Sequence, residues 1–119
     1  MKDHVLVIDD DFNTIELIKK VFTHKDYDLD IVYNDKDGLM QVVNNNYAYY
    51  FINLSLNGLY LIDLIKNIKS NPRIVVIASN IQFETEKKIR SRGITYLLVK
   101  PFEIKEIKDL ILDVKGKNV

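Results

Sequence analysis

Short runs of apolar residues recur along the chain without polar residues between them. They cover residues 5–8, 31–32, 49–52, 74–77 and 97–99, and most of their members are β-branched or aromatic. A strand buried on both faces of a parallel sheet has this composition, whereas a strand with one wet face alternates apolar and polar residues. The pattern predicts five buried strands.

The segments between these runs carry apolar residues at helical spacing. Residues three or four positions apart share one face of a helix, so each segment presents one apolar stripe to the sheet. The clearest stripes are Ile15, Ile18 and Phe22, then Leu61, Ile65 and Ile68, and finally Ile104, Ile107, Ile111 and Val114. Residues 35–45 and 84–92 predict two weaker helices. Asp11 and Asn34 suit N-caps, and Gly93 suits a left-handed helix end.

Five strands alternating with five helices predict an α/β fold. Right-handed crossover connections place helices on both faces of a doubly wound parallel sheet. We expect a single domain over residues 1–119, with residues 115–119 as a frayed polar tail. In such sheets ligands bind beyond the carboxyl ends of the strands.

Composition narrows the function classes. Lys plus Arg and Asp plus Glu number 17 each, so the net charge favours neither nucleic acid nor an anionic membrane as a partner. The absence of cysteine excludes disulfides and thiolate chemistry and suits a reducing compartment. The opening residues do not resemble a signal peptide, and we expect a cytoplasmic protein without a membrane span.

Polar residues follow the predicted strands at the edge where ligands are expected. Asp9, Asp10 and Asp11 follow the first strand, Asn53 ends the third, and Lys100 follows the fifth. Carboxylates at such an edge either hold Mg²⁺ or cap the first helix. We expect Lys100 to pair with Asp9 or Asp10, since adjacent carboxylates repel each other without a cation.

These landmarks give a specific resemblance. The segment 5–11 (VLVIDDD), the segment 51–58 (FINLSLNG), and Gly93 followed by LVKPF at 98–102 resemble the receiver domain of response regulators, at spacings that fit the family from residue 4 to residue 114. The resemblance implies a flavodoxin-like sheet with strand order 2-1-3-4-5. It also implies a strand-end aspartate that accepts a phosphoryl group, an acidic pair that binds Mg²⁺, and a lysine that neutralises the phosphoryl oxygens.

Several positions depart from this pattern. The acidic pair corresponds to Asp9 and Asp10 and the lysine to Lys100, but the phospho-acceptor position corresponds to Asn53. A carboxamide lacks the anionic oxygen that attacks phosphorus, and it would weaken or abolish Mg²⁺ binding. The phosphoryl-contact hydroxyl corresponds to Ala78, and the aromatic switch residue to Leu97.

The resemblance therefore implies an atypical receiver domain that works as a phosphorylation-independent protein-interaction module with no cofactor, or with Mg²⁺ held weakly, and not as an enzyme. It also implies a cis bond between Lys100 and Pro101. The expected partner face is formed by the fourth helix, the fifth strand and the fifth helix. Its charged residues are Lys87, Lys88, Arg90, Glu103, Glu106 and Asp109. Opposite charges on neighbouring helices suit a protein partner or self-association.

Two alternatives remain open from the sequence. The domain is the N-terminal regulatory part of a longer DNA-binding response regulator, or the chain is a Mg²⁺-dependent phosphatase of the haloacid-dehalogenase type. In the second case Asp9 is the nucleophile and Asp11 the general acid. The chain is short for such a phosphatase and has no late acidic pair for the metal.

Overall fold

Five strands and five helices alternate in the computed structural model, which describes residues 2–23 and 26–116, with side chains as far as residue 114. The strands are β1 (Asp3–Ile8), β2 (Tyr27–Val32), β3 (Tyr49–Asn53), β4 (Ile74–Ala78) and β5 (Tyr96–Val99). The helices are α1 (Phe12–Val21), α2 (Asp35–Asn44), α3 (Gly58–Ile68), α4 (Phe83–Arg90) and α5 (Ile104–Gly116). The predicted elements are confirmed in type and order.

All strands pair in parallel, in the order β2-β1-β3-β4-β5. This confirms the doubly wound fold and the predicted strand order. The chain winds in one direction through β1 and β2 and in the other through β3, β4 and β5, so the order reverses between β1 and β3. Their carboxyl ends, at Ile8 and Asn53, open into the crevice where such sheets bind ligands.

The core lies in two layers, one on each face of the sheet. Alternate residues of a strand point to opposite faces, so Val5 and Val7 pack with α1 and α5, while Leu6 and Ile8 pack with the helices on the other face. All four side chains are fully buried. Burial of a Val, Leu or Ile side chain contributes about 2 kcal/mol to the stability of the folded state. This burial holds the strand ends in place.

The helix boundaries follow the predicted signals. The Asp11 side chain accepts a hydrogen bond from the backbone N–H of Asn13 and caps α1. The Asn34 side chain accepts one from the backbone N–H of Asp37 and caps α2. Gly93 adopts a φ of 80° after α4. The polar tail predicted from residue 115 overlaps the last two positions of α5, and residues 117–119 lie outside the described part of the chain.

Strand β2 is longer than the predicted 31–32, because the alternating sequence YDLDIV suits an edge strand that is only half-buried. Across the described ranges, no helix is both long and apolar enough to cross a membrane.

Candidate functional site

Asp9 lies at the base of the crevice between β1 and β3. It is fully buried, and its backbone N–H donates to the carbonyl of Val32, which continues the β1–β2 pairing one residue past the strand. The Oδ1 atom of Asp9 accepts a hydrogen bond of 2.9 Å from the backbone N–H of Asp11. A buried carboxylate needs such donors, because burial without them costs several kcal/mol.

Asn53 is the last residue of β3 and is also buried. Its amide nitrogen donates to Oδ1 of Asp9 at 3.0 Å. Its amide oxygen accepts from the backbone N–H of Ser55 at 2.9 Å and from the Ser55 hydroxyl at 2.8 Å. The opposite amide orientation would set NH₂ against the Ser55 N–H and oxygen against the Asp9 carboxylate. The neighbours therefore determine that Asn53 presents a donor to Asp9.

Lys100 supplies the positive charge of the site. Its Nζ atom lies 3.1 Å from Oδ2 of Asp11 and 3.6 Å from Oδ2 of Asp9. Its backbone N–H donates to the carbonyl of Ala78, which fixes the strand end that carries the side chain. Of the two predicted partners, Asp9 and Asp10, Lys100 pairs with Asp9, and the predicted cis peptide bond between Lys100 and Pro101 is confirmed.

Asp10 is the second residue predicted for the acidic pocket. Asp10 is exposed and forms no hydrogen bond or ion pair with a residue in the described ranges. Successive residues of extended chain point to opposite sides, so an inward Asp9 turns Asp10 towards solvent. The N-cap position of Asp11 turns its carboxylate back towards Lys100.

The Asp11 carboxylate is held in its charged form. The hydroxyl of Thr14 donates to Oδ2 of Asp11 at 2.8 Å. This hydrogen bond, followed by the one from Lys100, lowers the pKa of Asp11 below its ordinary value. The Asp11 carboxylate therefore stays ionised at neutral pH.

The arrangement does not fit a Mg²⁺ ion, which prefers several oxygen ligands in octahedral geometry. Oδ1 of Asp9 accepts two hydrogen bonds, and the amide oxygen of Asn53 faces Ser55 instead of Asp9. Oδ2 of Asp9 is buried beside Lys100 and accepts no hydrogen bond from the described residues. Over the same ranges, no group of three or more His, Cys, Asp or Glu residues could hold a metal ion.

The comparisons with known proteins agree with the fold. The sequence matches the family model of the response regulator receiver domain over residues 5–112. The chain belongs to this family. Response regulator ArlR of Staphylococcus haemolyticus is 31% identical over 111 residues, which cover 87% of this chain and 48% of that protein. The chain thus spans about half the length of the curated relatives it matches.

Solved structures of response regulators share the fold of this receiver domain. A response regulator from Thermotoga maritima superposes with a TM-score of 0.85 at 14% identity, covering 96% of this chain and 98% of that one. A response regulator from Burkholderia pseudomallei with a phosphorylated aspartic acid, calcium ion and citrate gives a TM-score of 0.79 at 19% identity. The match covers 99% of this chain and 74% of that one.

Two further positions of the receiver domain lie on β4 and β5. Ala78 is buried at the end of β4 and brings no hydroxyl to the crevice. Leu97 is half-buried and packs on the α2/α3 face of the sheet, whereas Tyr96 packs on the opposite face and donates to Asp113 of α5. Tyr96 and Leu97 therefore point to opposite faces of the sheet.

The six charged residues of the predicted partner face are all exposed. Four of them have partners nearby in the chain, and one is Lys87, whose Nζ lies 5.7 Å from the centre of the Phe83 ring. Arg90 lies 3.6 Å from Glu86 and donates to backbone carbonyls after α4. Glu106 accepts from the backbone N–H of Glu103, and Asp109 pairs with Lys105 at 2.8 Å.

Sequence reasoning did not identify Ser55 and Thr14 as members of the site. Each follows a recognisable local signal. A serine two residues after an asparagine can close an Asx-type turn, and a threonine three residues after an N-cap aspartate can hydrogen-bond to it. These two hydroxyls fix the orientations of Asn53 and Asp11.

Proposed function

We propose that this receiver domain is a cytoplasmic protein-binding module of two-component signalling that acts without being phosphorylated and is not an enzyme. The amide of Asn53, with its NH₂ group turned towards Asp9, carries this proposal. An uncharged donor stands where phosphoryl transfer needs a nucleophilic carboxylate.

The chemistry of the amide supports the proposal. Attack on phosphorus requires an oxygen with an available lone pair, and the carbonyl oxygen of a neutral amide is a much weaker nucleophile than a carboxylate. In addition, the Asn53 oxygen already accepts two hydrogen bonds from Ser55. The Burkholderia pseudomallei structure, by contrast, contains a phosphorylated aspartic acid.

The site has a structural role under this proposal. Lys100 pairs with Asp9 and Asp11, and Asn53 donates to Oδ1 of Asp9, so the side chains of the site hold one another in place. The network fixes the loops that follow β1, β3 and β5 in one arrangement. A binding surface built on this frame is present constantly instead of being switched on.

We propose that a partner protein binds the surface of α4, β5 and α5. On this surface, Arg90 and Asp109 form ion pairs with residues of their own helices. The charged side chains of Lys87, Lys88 and Glu103 form no ion pair in the described part of the chain and are exposed to solvent. Charged rims of this kind direct the approach of a partner more than they tighten the complex. The Lys87→Glu and Lys88→Glu exchange should therefore slow association.

Beryllofluoride with Mg²⁺, which imitates an aspartyl phosphate, tests the phosphorylation claim. Backbone amide NMR signals of the unaltered chain should stay in place, including those of Ser55 and Lys100. The matched variant Asn53→Asp should show shifts around the same residues. Saturable shifts in the unaltered chain would overturn the proposal.

A second candidate function follows from the length of the relatives. The chain covers only 48% of Response regulator ArlR, which supports the alternative that the domain regulates a further, DNA-binding segment. A helix-turn-helix pattern in the reading frame after residue 119 would support that function, and a stop codon there would exclude it.

A further inference from the structure

Asn57 is the only asparagine of the sequence that is followed by a glycine. In such a pair the backbone nitrogen of the glycine can attack the side-chain amide of the asparagine, because glycine carries no side chain that hinders the approach. Asn57 is exposed and connects the loop after β3 to Gly58, the first residue of α3. A chemically reactive pair therefore lies at the surface, at the start of a helix.

The reaction of this pair, deamidation, needs no partner except water. The nitrogen of Gly58 forms a bond to Cγ of Asn57, the bond between Cγ and Nδ2 breaks, and Nδ2 leaves as ammonia with the proton that Gly58 gives up. Water then opens the cyclic imide. Breaking the new bond to Cγ gives aspartate, and breaking the original main-chain bond gives isoaspartate.

The backbone of the folded chain prevents ring closure. The ring can close only when the Gly58 nitrogen and Cβ of Asn57 lie side by side about the Cα–C bond of Asn57. With a φ of 60° and a ψ of 39° at Asn57, the two atoms lie almost opposite each other. The N–H of Gly58 also donates to the carbonyl of Leu54 at 3.0 Å, which fixes this arrangement. The reaction therefore requires the first turn of α3 to open locally.

The side chain of Asn57 is held by a neighbouring helix. Its amide nitrogen donates to Oδ2 of Asp35, the first residue of α2, at 3.2 Å. The other oxygen of Asp35 accepts from the backbone N–H of Lys36 at 3.0 Å, so the carboxylate is itself fixed at the start of α2. The two groups that must react, the nitrogen of Gly58 and the amide of Asn57, are thus both engaged elsewhere.

We propose that Asn57 is a deamidation site of this domain and that its hydrogen bond to Asp35 limits the rate of the reaction. The closed start of α3 keeps Asn57 intact, and each local opening exposes it to attack by the nitrogen of Gly58. Because Asp35 belongs to α2, the rate depends on the contact between α2 and α3 as well as on the sequence of the pair.

Deamidation changes the contact that controls it. In the aspartate product a carboxylate replaces the donor amide that lies 3.2 Å from Oδ2 of Asp35, so a hydrogen bond becomes a contact between like charges. In the isoaspartate product the main chain gains one CH₂ group directly before Gly58. The chain is closely packed at this point, since a Cβ on Gly58 would lie 3.2 Å from the carbonyl oxygen of Asn53. Either product weakens the contact between α2 and α3 irreversibly.

Incubation of the folded chain at a mildly alkaline pH, followed by peptide mapping, tests the proposal. The mass increase of an amide-to-acid conversion measures the loss of Asn57, and chromatography separates the isoaspartate product. Asp35→Ala should accelerate this loss about threefold, because it removes one hydrogen bond that opposes opening. The control Asp37→Ala removes another carboxylate from the first turn of α2, one that bonds to Asn34 instead, and should react at the unaltered rate. The unaltered chain unfolded in urea should react faster than any folded sample.

Three outcomes would overturn the proposal. Loss of Asn57 in the folded chain as fast as in urea would show that the fold does not protect it. Equal rates in Asp35→Ala and Asp37→Ala would show that the bond to Asp35 does not limit the reaction. An Asn57 that stays intact in folded Asp35→Ala, while the urea sample reacts fully, would show that the folded domain is not modified there. Thermal unfolding checks that each variant is folded during incubation, and Asp35→Ser gives the same comparison if the alanine variant is not.

Discussion

The amide nitrogen of Asn53 lies 3.0 Å from Oδ1 of Asp9 and donates a hydrogen bond to it across the two central strands. The contact joins residues 44 positions apart, and both are buried. It gives the Asp9 carboxylate a neutral donor. The two side chains at the base of the crevice are therefore joined to each other.

Replacing Asn53 by aspartate should destabilise the domain by about 1–3 kcal/mol at neutral pH, because a second buried carboxylate would face Asp9 in place of a donor. Mg²⁺ should recover part of this loss, since the variant presents two carboxylates to a cation. Urea unfolding with and without Mg²⁺ measures both effects. Asn67→Asp, the same change at an exposed position of α3, should be nearly neutral and insensitive to Mg²⁺. If Mg²⁺ stabilised the unaltered chain, this result would contradict the conclusion that its site does not fit the ion.

Replacing Lys100 by methionine should cost about 3 kcal/mol, because it leaves the buried Asp9 without a counter-charge. The matched control is Lys105→Met. Lys105 also pairs with an aspartate, Asp109, but both side chains are exposed, so its loss should cost less than about 0.5 kcal/mol. Chemical denaturation of the two variants provides the comparison. Equal losses of stability in the two variants would show that leaving the buried Asp9 without a counter-charge has no extra cost.

Replacing Thr14 by valine should raise the pKa of Asp11 towards its ordinary value of 3.8, because the hydroxyl is the largest cause of its depression. A depressed folded-state pKa adds stability above the unfolded pKa, and this contribution disappears as the pH falls through 3.8 and on to the folded value. The variant should therefore lose less stability than the unaltered chain between neutral pH and acid. Carboxyl ¹³C NMR titration measures the pKa directly. Thr23→Val, at an exposed hydroxyl that bonds to a carbonyl, should leave Asp11 unchanged.

Replacing Gly38 by alanine should destabilise the domain despite the better helix propensity of alanine. The new Cβ would lie 2.6 Å from Cδ1 of Ile8. Overpacking of this kind costs about 1–3 kcal/mol, against a propensity gain of about 1 kcal/mol. Ile8→Val removes the clashing atom, so the double variant should be more stable than the sum of the single changes predicts. Additive losses in a double-mutant cycle would contradict the close contact of α2 with β1.

The fold was predictable because its signals are local. The uninterrupted apolar runs at residues 5–8 and 74–77 indicated strands buried on both faces, and Asp11 and Asn34 indicated helix starts. Strand β2 was underestimated because an edge strand alternates, and its Asp28 and Asp30 interrupt the apolar pattern.

The site was predictable only in part. The carboxyl ends of the strands indicated which residues lie close together, so a pairing of Lys100 with Asp9 or Asp10 could be expected. The pairing of Lys100 with Asp11 could not, because it depends on the backbone turn after β1 and on the hydroxyl of Thr14. The direction of the Asn53 amide likewise depends on Ser55, whose role appears only when donors and acceptors are counted in three dimensions.

Intact-mass spectrometry of the unaltered chain after incubation with acetyl phosphate and Mg²⁺ tests the central claim most directly. The account predicts a single species at the unmodified mass, while Asn53→Asp gains one phosphoryl group under the same conditions. A phosphoryl adduct on the unaltered chain that disappears when Asn53 is replaced by alanine would contradict it.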